Sequence, residues 1–382
     1  MALAEKDDPM TLPTQMVNTT RFRFLLRGKT TAMKKFLHWI ILAAAVISAG
    51  VLLIIWFCVP RDQGACGETA TYKIVGNTLI IEGTGRMYMF PPYLRDAHDR
   101  PWELQASQIR KVIISDGITE IGFNAFREME NLRSVEFADS VKTIGGSAFQ
   151  GCISLSEVSA NHVTFISQRA FAGCINLETA DFPAIGEQQV SLYRYAYEGC
   201  TSLKKIHLGS FMVSFFDRCL SGCSSLEEIS IDHDFNLLEN GAFEGCTALM
   251  HFPLERHTDE VLMNPLRAQS EDPYQVLGDR AFQNCTSLVS ITLPNWAWWV
   301  PSNMFRGCTG LQEVTLPEGL QSIEMAAFAG CTGIKRLEIP STVTEIHPSA
   351  FLGWTEEQTI VVSNMDILPE ELTDCEAQLV IR

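Results

Sequence analysis

The chain has 382 residues, 46% of them hydrophobic and 19% charged, with a mean hydropathy of +0.08. That is too apolar for a disordered chain and too polar for a protein with several membrane spans, so at most one span fits. Lys and Arg number 29 against 45 Asp and Glu, a formal net charge of −16, which excludes a protein whose main task is gripping nucleic-acid phosphates.

The N-terminal stretch runs against this balance. Residues 1–59 hold seven basic side chains (Lys6, Arg21, Arg23, Arg27, Lys29, Lys34, Lys35) and three acidic ones (Glu5, Asp7, Asp8). Residues 36–59, FLHWIILAAAVISAGVLLIIWFCV, carry no formal charge; as a helix they cover about 36 Å against a hydrocarbon core of about 30 Å. A transmembrane signal-anchor helix is predicted here. The positive-inside rule places residues 1–35 in the cytoplasm as a disordered basic tail and the rest outside. Met33-Lys34-Lys35 also reads like the start of a bacterial export signal, so Met33 is an alternative first residue. A cleaved signal ends a shorter apolar run at an A-x-A-like site. Here the small residues, Ala43 to Ala45 and Ser48 to Gly50, lie mid-run, with Val51 to Phe57 after them, which points to a retained anchor.

An internal repeat organises the remainder. The pattern A-F-x-G-C-x-x-L recurs at Ala148-Phe149-Gln150-Gly151-Cys152, Ala170-Phe171-Ala172-Gly173-Cys174, Ala242-Phe243-Glu244-Gly245-Cys246 and Ala327-Phe328-Ala329-Gly330-Cys331. Looser copies centre on Phe126, Tyr197, Leu220, Phe282, Phe305 and Phe351. These ten marker positions are spaced 22, 23 or 26 residues apart, except for one gap of 39 between Phe243 and Phe282. Each unit continues with apolar residues at i, i+3 and i+5, as in Leu288, Ile291 and Leu293, where the last two alternate as on a strand and Pro294 closes it. A second apolar pair follows, such as Val343 and Ile346. Then a Gly or Pro bend leads to a short helical or 3₁₀ turn carrying Ala-Phe. One such unit cannot bury its apolar face alone. Stacked, ten units make one continuous core about 45–50 Å long.

These residues resemble the BspA-like leucine-rich-repeat proteins of bacterial surfaces. The resemblance covers residues 66–382 and includes a lead-in: Cys66-Gly67, the run from Gly76 to Met87, and Pro101-Trp102. It implies an α/β repeat fold, a single leucine-rich-repeat solenoid of short strands and short helical turns. The expected organisation is a β-rich capping module at 60–108, a solenoid at 109–358 with an insertion at about 255–273, and a C-terminal cap at 359–382. It implies a surface adhesion or interaction role without naming a ligand. The repeat departs from the commoner leucine-rich consensus in that Cys precedes the strand, as in Cys285-Thr286-Ser287-Leu288.

Eight of the 12 cysteines, namely Cys152, Cys174, Cys200, Cys223, Cys246, Cys285, Cys308 and Cys331, lie three residues after a marker. Equivalent positions in stacked repeats form a buried column of reduced, apolar thiols rather than a disulfide framework. The repeat core is therefore expected to include Phe149, Cys152, Phe171, Cys174, Phe243, Cys246, Phe282, Cys285, Phe305, Cys308, Phe328 and Cys331. The remaining cysteines, Cys58, Cys66, Cys219 and Cys375, form no CxxC and have no zinc-finger spacing. The eight histidines make no H-E-x-x-H and read as scattered surface residues. Asp232-His233-Asp234 could hold a cation or be a solvated turn. Hydrolase, phosphate-loop and dinucleotide motifs are absent from the sequence, so no catalytic residue, metal or cofactor is expected.

Two departures from the repeat remain. Residues 255–273 are a polar insertion with an apolar centre (Val261, Leu262, Met263, Leu266), either a tolerated surface loop or a contact loop. Trp296, Trp298 and Trp299 replace the next repeat's Gly319, Gln321 and Ser322, while Ala297 and Val300 take the apolar places of Leu320 and Ile323. The three indoles should thus lie largely outside the core, as a protein- or glycan-binding anchor or as a seat for the insertion. The overall expectation is a membrane-anchored extracellular protein for noncatalytic recognition or adhesion, with a structural envelope scaffold as the alternative.

Overall fold

The computed structural model describes residues 62–90, 100–183, 189–209, 212–232, 234–254, 277–370 and 372–382. The basic tail, the expected span at 36–59 with Cys58, the choice between Met1 and Met33, and the insertion at 255–273 lie outside the described residues. Among the described residues no helix is long and apolar enough to cross a membrane.

Most coils contribute two short strands among the described residues, and within each of the parallel sheets a strand pairs with its counterpart one coil later. Ser290–Thr292 aligns on Glu313–Thr315. Trp299–Val300 aligns on Ser322–Ile323, which aligns on Glu345–Ile346. The first strands show the expected alternation: in Thr179–Phe182 the residues are exposed, buried, exposed and buried, because Ala180 and Phe182 face the core. Strands this short have no independent stability. Repetition in register supplies it.

Of the short helical or 3₁₀ turn expected at Ala-Phe, only the three-residue local bonds are found, and no α-helix occurs among the described residues. Around Phe149, alternate N–H groups close local bonds three residues back: Ala148 to Gly145, Gln150 to Ser147 and Cys152 to Phe149. The intervening N–H groups of Ser147, Phe149 and Gly151 donate instead to the carbonyls of Gln168, Ala170 and Ala172 in the next coil, at 2.9, 2.8 and 2.9 Å. A helix spends every N–H inside itself; this turn exports half of them and so becomes a third ladder along the solenoid. The geometry needs left-handed backbone two residues before and two after the marker, with φ of 54° at Ser147 and 72° at Gly151. Hence the Gly of the A-F-x-G-C motif.

The marker side chains form a column of parallel rings. Phe126, Phe149 and Phe171 stack with centroids 5.1 and 5.2 Å apart, and Tyr197 follows at 5.1 Å. Beyond Leu220 the column resumes as Phe243, Phe282, Phe305, Phe328 and Phe351, at 5.5, 5.9, 5.5 and 6.0 Å. All ten markers are fully buried. Truncating one such Phe typically costs about 3–5 kcal/mol.

The first end of this core is closed. Gln63–Ala65, Ala70–Val75 and Thr78–Gly83 pair antiparallel before Thr78–Gly83 joins Lys111–Ile114 in parallel. Fully buried Trp102 stacks on Phe126 at 5.6 Å and donates Nε1–H to the Ala125 carbonyl at 3.0 Å.

Candidate recognition surface

The eight repeat cysteines are fully buried, and none of the eleven described cysteines is paired. They are not mere apolar filler, as the sequence pattern suggested. Each donates its Sγ–H to the carbonyl of the preceding coil's marker: Cys152 to Phe126 at 3.1 Å, Cys174 to Phe149 at 3.1 Å, Cys246 to Leu220 at 3.3 Å, Cys285 to Phe243 at 3.2 Å, Cys308 to Phe282 at 3.0 Å and Cys331 to Phe305 at 3.0 Å. Cys200 and Cys223 do the same towards Phe171 and Tyr197. Burial pushes the Cys308 thiol up to about 12 and drives the others well above the usual thiol range. Held neutral and out of solvent, they cannot serve as nucleophiles or metal ligands.

The functional candidates are therefore on the outside. Ala297 and Val300 are fully buried, as their alignment with Leu320 and Ile323 implied. The three tryptophans divide. Trp296 is half-buried and packs against the core, which departs from the expectation that all three stand outside it. Trp298 is 49% exposed, and Trp299 half-buried beside it, with ring centroids 4.6 Å apart at 58°. The backbone beneath them is tied down: Trp298 accepts the Gln321 N–H at 2.7 Å, and Trp299 lies opposite Ser322. Two large rings are thus held on a rigid ladder at the outer surface.

Two further groups escaped the sequence reading. Phe165, six residues before its marker as Trp299 is before Phe305, begins an outer row with Tyr193 and Phe216, at centroid distances of 4.2 and 4.4 Å. All three rings are half-buried and pack on one another in sequence, which braces this face. His207, read as a scattered surface residue, is instead clamped on the first-strand face between Asp181 (Nδ1 to Oδ1, 2.8 Å) and Asp232 (Nε2 to Oδ1, 3.4 Å). Partial burial lowers its pKa, but the hydrogen bonds and charges of Asp181 and Asp232 outweigh it and the net shift is upward. With one carboxylate on each ring nitrogen, the three groups diverge and cannot chelate one ion. His233 and the Asp234 side chain, the rest of the cation candidate, lie outside the described residues, and the described residues hold no cluster of three or more metal-ligating side chains. Repeat register is the signal that finds the His207 clamp, since Asp181 aligns directly on His207; it does not find the aromatic row, in which Phe165 aligns on Ser191.

Fold and surface together define a parallel β-solenoid of repeated coils with a neutral, inaccessible core. Residues 104–186, 184–264 and 271–373 match the BspA type leucine rich repeat region, six copies in all, and the chain belongs to that family. No curated protein matches it. Among solved structures it is similar to a leucine-rich repeat protein from Bacteroides ovatus, 21% identical, covering 82% of this chain and 89% of that one with a TM-score of 0.44. A leucine rich cell surface protein from Faecalibacterium prausnitzii is also 21% identical, covering 82% and 93% with a TM-score of 0.37. A leucine-rich repeat protein from Eubacterium ventriosum is 19% identical, covering 75% and 93% with a TM-score of 0.33.

Proposed function

We propose that this chain is a noncatalytic cell-surface recognition or adhesion protein, anchored by residues 36–59 with its solenoid outside the cell, and that Trp298 and Trp299 are its principal contact residues for a protein or glycan ligand. The observation that carries the reading is the rigidly mounted, partly exposed indole pair. Large aromatic side chains at the surface are the residue type most often found as binding hot spots, because they desolvate much apolar area at low entropic expense. Membership of a family of surface repeat proteins supports the location, and the charge asymmetry around residues 36–59 supports the orientation. Protease applied to intact cells should then remove the solenoid and leave a short membrane stub.

Replacing Trp298 with Gln and Trp299 with Ser, the types at the equivalent positions of the next coil, tests the site. Adherence to host surfaces or binding on a glycan array should fall about thirtyfold or more, as loss of about 2 kcal/mol requires, while the melting temperature stays close to that of the parent. A strongly lowered melting temperature with unchanged binding per folded molecule would assign the pair to structure. Wall retention without any soluble ligand, unaffected by the double variant, would instead favour an envelope scaffold.

A further inference from the structure

On and just before the first strands, neighbouring coils pair their surface charges: Lys111 with Glu136, Lys204 with Glu178, Lys205 with Glu228 and Lys335 with Glu357, at 2.5, 2.8, 2.7 and 2.9 Å. The face that carries Trp298 and Trp299 departs from this habit. Trp299 aligns on Ser322 and Ser322 on Glu345, and the residue after each, Val300, Ile323 or Ile346, is buried, so Trp299, Ser322 and Glu345 share the outer face. Glu324 returns to that face two residues after Ser322, whose Oγ–H it accepts on Oε1 at 2.8 Å, and its own N–H is tied to the Val300 carbonyl at 3.0 Å. One carboxylate thus leans on the strand beside the indoles, and the other lies one strand further on, about 4.8 Å per strand. Neither Glu324 nor Glu345 makes an ion pair among the described residues.

The sequence around them supplies no compensating base. Residues 307–334 and 337–381 contain no Lys or Arg, and Lys335 and Arg336 are held at the first strands by Glu357 and Glu338, at 2.9 and 3.3 Å. Arg280 and Arg306 belong to the turn, where Arg306 bonds Asn303 Oδ1 at 3.3 Å. His347, exposed beyond Glu345, takes the Ser349 N–H on Nδ1 at 3.2 Å. The coil before the indoles adds a third carboxylate: Asp279 accepts the Ser302 N–H on Oδ1 at 3.0 Å. Burial pushes its pKa up against that bond and Arg280, and Glu324 adds to the rise, so carboxylates on both sides of the tryptophan coil feel one another.

We infer that the ligand of this face is a basic segment of a partner protein, with an arginine or lysine side chain laid against Trp298 and Trp299 and its charge, with that of a basic neighbour, met by Glu324 and Glu345. This rests on the recognition reading above and selects protein over glycan within it. Indole is the aromatic surface that attracts a cation most strongly, and the partner supplies the counter-charge that this face lacks. A neutral glycan leaves both carboxylates unused. Arginine fits better than lysine, because its flat guanidinium stacks on a ring while its edge bonds a carboxylate. The same carboxylates steer a basic partner towards the indoles, and salt weakens the attraction.

Fluorescence anisotropy of labelled octa-arginine, octa-lysine and octa-glutamate peptides with the full chain in a non-ionic detergent tests this, with chitohexaose as a neutral competitor. Octa-arginine should bind, octa-lysine more weakly and octa-glutamate not at all. Glu324→Gln with Glu345→Gln should weaken octa-arginine binding at least about fivefold, and Trp298→Gln with Trp299→Ser at least as much. Glu313→Gln with Glu356→Gln removes the same charge at the first strands and should change it less than about twofold. If the Glu324 and Glu345 variant melts lower than the parent, Glu345→Gln alone, at an exposed position, should still weaken binding about twofold. Octa-arginine that does not bind, an equal loss in the charge-matched control, or displacement by chitohexaose would each overturn the inference. Adherence of the tryptophan variant judges the recognition reading separately: if adherence falls while octa-arginine never binds, the face recognises a ligand and that ligand is not basic.

Discussion

Trp354 donates its indole Nε1–H to the Phe328 carbonyl at 2.8 Å, the bond that Cys331 makes to Phe305 one coil earlier at 3.0 Å. Trp354 stands three residues after its marker, where eight of the preceding coils have Cys. The last marker-bearing coil thus keeps the column's donor and enlarges the side chain, so that one residue both satisfies the carbonyl and covers the ring of Phe351, 4.9 Å away and edge-on.

The column position should therefore be read by donor as well as by size. At Cys246, whose thiol bonds Leu220, serine keeps a donor and alanine does not. Both lose apolar volume, but Cys246→Ser should be more stable than Cys246→Ala by about 0.5–1.5 kcal/mol, the net worth of one buried hydrogen bond. Denaturant titration of the two variants gives the difference directly, and alanine equal to serine would mean that only volume counts.

Alkaline stability follows from the same column. Burial pushes the folded Cys308 thiol up to about 12 and the other seven well above the usual thiol range, whereas unfolded ones ionise near pH 9. A raised folded-state pKa contributes stability below the unfolded value and loses it as pH climbs towards the folded one. Each thiol thus removes roughly 1.4 kcal/mol per pH unit above pH 9. Summed over the eight, the loss exceeds a typical domain stability of about 5–15 kcal/mol within one to two pH units. Unfolding between about pH 10 and 11, with release of several protons and sudden reactivity of Cys174 and Cys246 towards alkylating reagents, is the expected result. A fold intact at pH 12 contradicts it.

Tyr197 carries a strain that its phenylalanine neighbours lack. Its ring stacks on Phe171, but its hydroxyl is fully buried with no hydrogen-bond partner among the described residues. Tyr197→Phe removes that orphan and should raise stability by about 1 kcal/mol, seen as a higher denaturant midpoint. A lower midpoint would show that the hydroxyl is satisfied in solution.

The left-handed turn makes a conformational prediction. Gly330 has φ of 70°, and a hypothetical Cβ there would make only ordinary van der Waals contact, its nearest neighbour 3.8 Å away. Gly330→Ala should cost about 1 kcal/mol from backbone strain alone. Gly330→Asn should cost less, since Asn284 holds the equivalent position with φ of 63°. Thermal melts of the pair rank them, and equal losses would point to crowding instead.

The repeat, its register and its buried positions were legible in the sequence because they follow from periodicity. Phe149, Cys152 and the alternating strand residues recur at fixed spacing, and only stacking makes such a pattern useful. The spacing also marked Trp298 and Trp299 as departures from the pattern. The turn at Ala-Phe reads in the sequence as a short helical or 3₁₀ turn; the local bonds three residues back fit the second form, but local sequence carries no sign that alternate N–H groups bond to the next coil, a choice that depends on the neighbour's carbonyls at Gln168, Ala170 and Ala172. For the same reason the thiols' acceptors, the clamp on His207 and the packing of Trp296 emerged only in three dimensions. Each joins groups in different coils or sets a side chain against a surface those coils build. Composition and period determined that the chain coils into a solenoid. Tertiary stacking decided which polar groups meet across the coils, because hydrogen bonds depend on position to within about half an ångström and periodicity specifies only the residue.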